Sequence, residues 1–175
     1  MSTYEFPSQS THSIQGLLNQ YPWNVCLHLN PETTWLDQST ALNLGDRVIR
    51  RLQRELFGDD PSNHFGVFML IPEFCADELW HYHGFAWIES SKRTKMLMRY
   101  GPEWFHRAVH GFIQSGGCPI PRHLQTTGAL DLHRITPSGW FQPVGDLGTA
   151  IGYAQKNWIK DGKEDLVLVS GRAIR

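Results

Sequence analysis

The chain has 175 residues, 41% of them apolar and 12% aromatic, with a formal net charge of −1. That length and composition fit one globular domain with a sizeable core and exclude a disordered or fibrous chain. No run of eighteen apolar residues is present, and the N-terminal stretch MSTYEFPSQSTHSIQG lacks the basic and apolar regions of a secretory signal.

Residues 1–20 are rich in Ser, Thr and Gln and read as a flexible lead-in, leaving 21–175 as the single domain. A first strand is expected at about Asn24 to Leu29, followed by a loop from Asn30 to Asn43. A helix should run from about Asp46 to Phe57, with Val48, Ile49, Leu52 and Leu56 on one stripe and Gly58 as its stop. Arg47, Arg50, Arg51 and Arg54 occupy its other side, where a solvated face or a phosphate contact both fit. The apolar run Phe65 to Ile71 has strand length, and about Tyr82 to Glu89 reads as a further strand. The segment SSKRTKMLMRYG reads as a basic connection. Pro102 suits the first turn of a helix from about Pro102 to Gln114, whose apolar set is Phe105, Ala108, Val109, Phe112 and Ile113. Gly116 and Gly117 end it. Strands are expected at roughly Ala129 to Ile135, Trp140 to Val144 and Leu166 to Val169. Between the last two, Asp146 can cap a helix carrying Tyr153. The pattern βαββαββαβ predicts an α+β fold, a central antiparallel β-sheet of about five strands backed by helices.

The feature with most chemistry is His81-Tyr82-His83, with Tyr153-Ala154-Gln155-Lys156 seventy residues later. Strand side chains alternate faces, so His81 and His83 project together. Such a pair is by itself either an ordinary surface or core pair or half of a metal site. Pro72-Glu73 ends the preceding apolar strand, eight residues before His81. A hairpin joining the two strands brings Glu73 to the imidazoles. Glu73, His81 and His83 then form a mixed oxygen and nitrogen ligand set for a divalent ion, with Mn2+ or Mg2+ favoured by the carboxylate. Tyr153 and Lys156 lie one helical turn apart and share a helix face. A metal, a tyrosine and a lysine together suit attack on a phosphodiester.

These residues resemble the HUH endonucleases, specifically the single-tyrosine Rep proteins that initiate rolling-circle replication. Val25-Cys26-Leu27-His28-Leu29-Asn30 looks like the family's first motif. Glu73 with His81-Tyr82-His83 looks like the metal motif, and Tyr153-Ala154-Gln155-Lys156 resembles the catalytic Y-x-x-K. The three stand in the family's order and span residues 25 to 156. The resemblance implies an HUH or RRM-like palm and a 5′-phosphotyrosine intermediate on Tyr153, with Lys156 stabilising or positioning the phosphate. It also implies single-stranded DNA at a replication origin as substrate. A separate helicase and a host polymerase are implied partners, because 175 residues leave no room for the helicase domain many relatives carry. The implied location is inside a cell, in bacterial cytoplasm or a host nucleus. An HUH transposase is a second reading, although its tyrosine is usually followed by a metal-completing Gln, where Lys156 stands here.

Charge divides the chain. Residues 1–91 carry 4 basic and 11 acidic side chains, net −7, while residues 92–175 carry 12 basic and 6 acidic, net +6. The basic half fits either a nucleic-acid footprint or an uneven solvated surface. Trp80 and Trp158 are candidate base-stacking partners, and Arg93 and Lys95 candidate DNA contacts. His28 either lines the sheet face near the metal or is a satisfied core histidine, and the same choice holds for His106, His110 and His133. Asp131 is a possible extra ligand. Cys26, Cys75 and Cys118 form no zinc pattern and read as free thiols of a reducing compartment. Two readings from other classes stay open: a non-catalytic single-stranded nucleic-acid-binding module, and a structural zinc protein.

Overall fold

A computed structural model describes residues 16, 18–31, 37–60, 63–74, 80–116, 141–152 and 168–171. Strand β1 is Val25–Leu29, helix α1 Gln38–Phe57, strand β2 Gly66–Phe74, strand β3 Trp80–Ile88, helix α2 Ser91–Gln114, strand β4 Phe141–Pro143 and strand β5 Leu168–Gly171. The sheet order is β4-β1-β3-β2-β5, and every pairing is antiparallel. The α+β class and the antiparallel sheet are those expected from sequence. Since β3 is antiparallel to both β1 and β2, those two run parallel with β3 between them. Helix α1 therefore closes a split β-α-β unit over β1 and β2, and α2 does the same over β3 and β4. The expected strand at Ala129 to Ile135 lies outside the described residues.

Alternation sorts the strands into two faces. Val25, Leu27 and Leu29 of β1, Phe68 and Leu70 of β2, and Trp80, Tyr82, Ala86 and Ile88 of β3 join the helices in the main core. The opposite face holds a smaller cluster of Val67, Met69, Ile71 and Phe85, covered by Leu18 and Trp23. Asn24 fastens one end of β1, donating its amide to the Ile88 carbonyl at 2.7 Å and accepting from the Ile88 amide at 3.1 Å.

Both long helices begin earlier than the sequence suggested. Helix α1 starts at Gln38 rather than about Asp46, because Asp37 caps it, accepting from the Thr40 amide at 2.7 Å. Ser39, Thr40, Asn43 and Gly45 are weak helix formers. Yet Thr40, Ala41, Leu44, Gly45 and Val48 form one buried stripe, and packing outweighs propensity. The basic segment SSKRTKMLMRYG is not a connection but the first half of α2, capped by Ser90. Pro102 therefore lies inside the helix rather than in its first turn. It removes the bond the Met98 carbonyl would have received. Beside it Gly101 lets β4 approach: a Cβ there would stand 2.5 Å from the Phe141 ring.

Candidate metal centre

Strand β2 continues past Ile71 to Phe74, so Glu73 is a strand residue and not part of a turn. It stands directly opposite His81, while Ile71 stands opposite His83. Among the described residues β5 pairs with Val67 to Leu70, so Pro72 stands beyond that ladder. Alternation places Glu73, His81 and His83 on the face turned away from the helices. The Glu73 Oε2 atom lies 3.2 Å from His81 Nε2 and 3.1 Å from His83 Nε2. The three side chains are half-buried, and one ligand atom from each lies within 4.8 Å of the others. Glu73, His81 and His83 are thus a group able to hold a metal ion.

The donor chemistry fits such an ion. Burial, and then the neighbouring imidazoles of His28 and His81, push the His83 pKa down to about 4. His83 is therefore neutral at pH 7, the form that ligates a metal. Three protein ligands also leave coordination positions for water or substrate. Tyr82, between the two histidines, plays a different part. It is fully buried on the helix side, and its hydroxyl donates to the Ala41 carbonyl at 2.7 Å. Burial pushes its pKa up. Tyr82 ties the histidine strand to the first turn of α1 and is unsuited to be a nucleophile. Gly84, next to His83, allows β2 and β3 to approach: a Cβ there would collide with the Met69 carbonyl oxygen.

His28 belongs to this neighbourhood. It is the strand partner of His83 on β1, and the two rings meet edge to face at 4.7 Å between centroids. Burial, and then His81, lower its pKa. The signal was present in the sequence, since Val25, Leu27 and Leu29 point inward and leave Cys26 and His28 on the other face. Cys26, half-buried there, has its thiol pKa raised by burial.

The segment leading to Tyr153 packs on the same sheet face. Asp146 caps a helical stretch at 147–152, accepting from the Gly148 amide at 2.9 Å and from the Thr149 hydroxyl at 2.8 Å. Leu147, Ala150 and Ile151 pack against the cluster containing Ile71 and Phe85. Tyr153, Lys156 and Trp158 lie outside the described residues, as do Asp131, His133, Cys75 and Cys118.

Other candidates lie elsewhere. Trp80 is 5% exposed in the helix-side core, so it offers no ring face to a base and is not a stacking partner in this structure. Arg93 and Lys95 stand on α2, across the sheet from the triad, with the Arg93 guanidinium 4.9 Å from the Phe57 ring. His106 and His110 are on that helix too. On α1, Arg50 pairs with Asp46, Arg51 with Glu55 and Arg54 with Asp59, as a solvated helix face would. Among the described residues no helix is long and apolar enough to cross a membrane. Compared with family models, curated proteins and solved structures, the chain has no match.

Proposed function

We propose that this protein is a metal-dependent, sequence-guided endonuclease that nicks and rejoins single-stranded DNA through Tyr153 and initiates rolling-circle replication of a plasmid, phage or small DNA virus. The observation that carries the reading is the convergence of Glu73, His81 and His83 on the sheet face where the segment preceding Tyr153 also packs. The sheet order, with two interleaved split β-α-β units, supports an HUH or RRM-like palm. Glu73, His81 and His83 would hold a divalent ion, Mn2+ or Mg2+, which would supply Lewis-acid polarisation of a phosphate oxygen. The Tyr153 phenolate attacks phosphorus, the bond to the 3′ oxygen breaks, and that oxygen leaves as a 3′-hydroxyl after taking a proton. The 5′ phosphate stays on Tyr153, so the phosphodiester energy is kept for rejoining. Lys156, three residues after Tyr153 in the sequence, supplies a point charge for the same phosphate. The free 3′-hydroxyl primes a host polymerase, and a separate helicase opens the duplex.

The test is a denaturing gel for a protein–DNA adduct, using a pooled single-stranded oligonucleotide library with Mn2+ or with chelator. The expected result is an adduct that needs both Mn2+ and Tyr153 and is lost in Tyr153→Phe while DNA binding persists. An adduct that survives Tyr153→Phe overturns the nucleophile. DNA and Mn2+ binding without any adduct favours the non-catalytic binding module.

A further inference from the structure

We propose that His28 is the fourth donor of this centre, so that one divalent ion takes Glu73 and three imidazoles. The inference rests on reading Glu73, His81 and His83 as a metal centre. It adds a residue from a third strand and with it a choice of ion.

Symmetry about His83 carries the proposal. The His81 and His83 rings, both in the triad, lie 4.9 Å apart between centroids at an interplanar angle of 86°. Across the β1–β3 ladder, the His28 ring lies 4.7 Å from that of His83 at the same angle of 86°. His28 therefore stands to His83 as a triad member does. Its backbone explains the closeness, because His28 and His83 are direct partners in the β1–β3 ladder and opposed Cβ atoms lie about 5 Å apart. Imidazole nitrogens on adjacent positions of a six-coordinate ion are about 3 Å apart, given metal–nitrogen bonds of about 2.1 Å, and four protein donors on such an ion leave two positions for water or phosphate. The His28 donor atoms lie outside the group of Glu73, His81 and His83 whose ligand atoms fall within 4.8 Å of one another, so His28 joins the ion by turning its side chain. His28 is also the most exposed of the three histidines, so its ring can turn without disturbing the core, and an ion can arrive from solvent on its side.

The added imidazole alters which ion is held. One carboxylate with two imidazoles accommodates Mg2+ as well as Mn2+. One carboxylate with three imidazoles disfavours Mg2+, which prefers oxygen, and favours Mn2+ together with Co2+, Ni2+ and Zn2+.

The experiment titrates the metal-free full chain with Co2+, following the visible d–d bands, and with Mn2+, Mg2+ and Zn2+ by calorimetry. The variants are His28→Ala, His28→Phe and His83→Ala. Phenylalanine keeps an edge-to-face ring beside His83 but offers no lone pair. Both His28 variants should bind Co2+ and Zn2+ at least about tenfold more weakly and shift the d–d bands, with metal-free melting unchanged. Wild-type spectra and affinity in His28→Phe overturn the proposal and make His28 a packing partner. If His83→Ala binds like the wild type, or the wild type binds no metal, the triad itself fails. The two failures are therefore distinguishable.

Discussion

On β3, Trp80, Tyr82, Ala86 and Ile88 turn toward the helices, while His81, His83, Phe85 and Trp87 turn away. The strand thus carries two programmes with a period of two. The helix side is closed by α1 and α2, and the Tyr82 hydroxyl of β3 there has a partner in the Ala41 carbonyl. The outer side is covered at one end by Leu18, Trp23 and the stretch at 147–152, and at the other it presents imidazoles. Chemistry needs polar side chains that reach water or substrate, and this second end has them. Substitutions on the inner face should accordingly change stability, and those on the outer face metal binding.

The largest effect is expected inside. Phe105 of α2 is fully buried against the sheet, and Phe105→Ala should cost about 3–5 kcal/mol of unfolding free energy. Urea denaturation checks it. Metal affinity per folded molecule should not change, and a lost metal site in a folded Phe105→Ala protein would break the division between faces. On the outer face the pattern reverses. Glu73→Gln keeps a hydrogen-bonding amide beside both imidazoles but loses the charge that holds a cation. Metal affinity should fall by about a hundredfold, read by calorimetry, while metal-free stability moves by less than about 1 kcal/mol.

The outer face was also the more legible of the two. His81, His83 and Glu73 were readable because strand alternation fixes which side chains share a face, and an apolar run ending in Glu73 implied a paired strand. His28 was harder, since one histidine on a short strand reads equally as core. The inner layer was misread at both helix starts. Gln38 to Gly45 and Ser91 to Gly101 hold polar residues and glycines that look like connection. Their helical state depends on Asp37, Ser90 and the stripe buried against the sheet, which are tertiary facts. Trp80 failed as a stacking partner for a related reason: it precedes His81 in the same strand, so alternation sends it to the opposite face.

Tyr82 joins the two programmes, so Tyr82→Phe tests whether they are independent. The lost bond to the Ala41 carbonyl should cost about 1 kcal/mol. The ring still fills its place in the core. Metal affinity should stay within about twofold, because His81 and His83 are fixed by the β2 ladder and not by the phenol. A larger drop would mean that the tie to α1 also orients the histidines.

The smallest expected effect distinguishes the faces by pH. The Thr40 amide, as its first cause, holds the Asp37 carboxyl below its ordinary value. The Thr149 hydroxyl, and then the Thr149 and Gly148 amides, do the same for Asp146. A carboxyl lowered in the folded state stabilises fully above the unfolded value, near pH ~4, and loses that contribution as pH falls through the lowered folded value. Asn caps about as well as Asp but does not titrate. Asp37→Asn should therefore melt a degree or two below the wild type at neutral pH, and the two should converge under acid. Asp37 anchors a helix that is part of the main core, so its loss is felt in global melting. Among the described residues Asp146 anchors the stretch at 147–152, whose Leu147, Ala150 and Ile151 are partly buried. Asp146→Asn should leave global melting unchanged and speed amide exchange in that stretch above about pH 5. If global melting also falls, the outer layer is coupled to the core more tightly than its shallow packing implies.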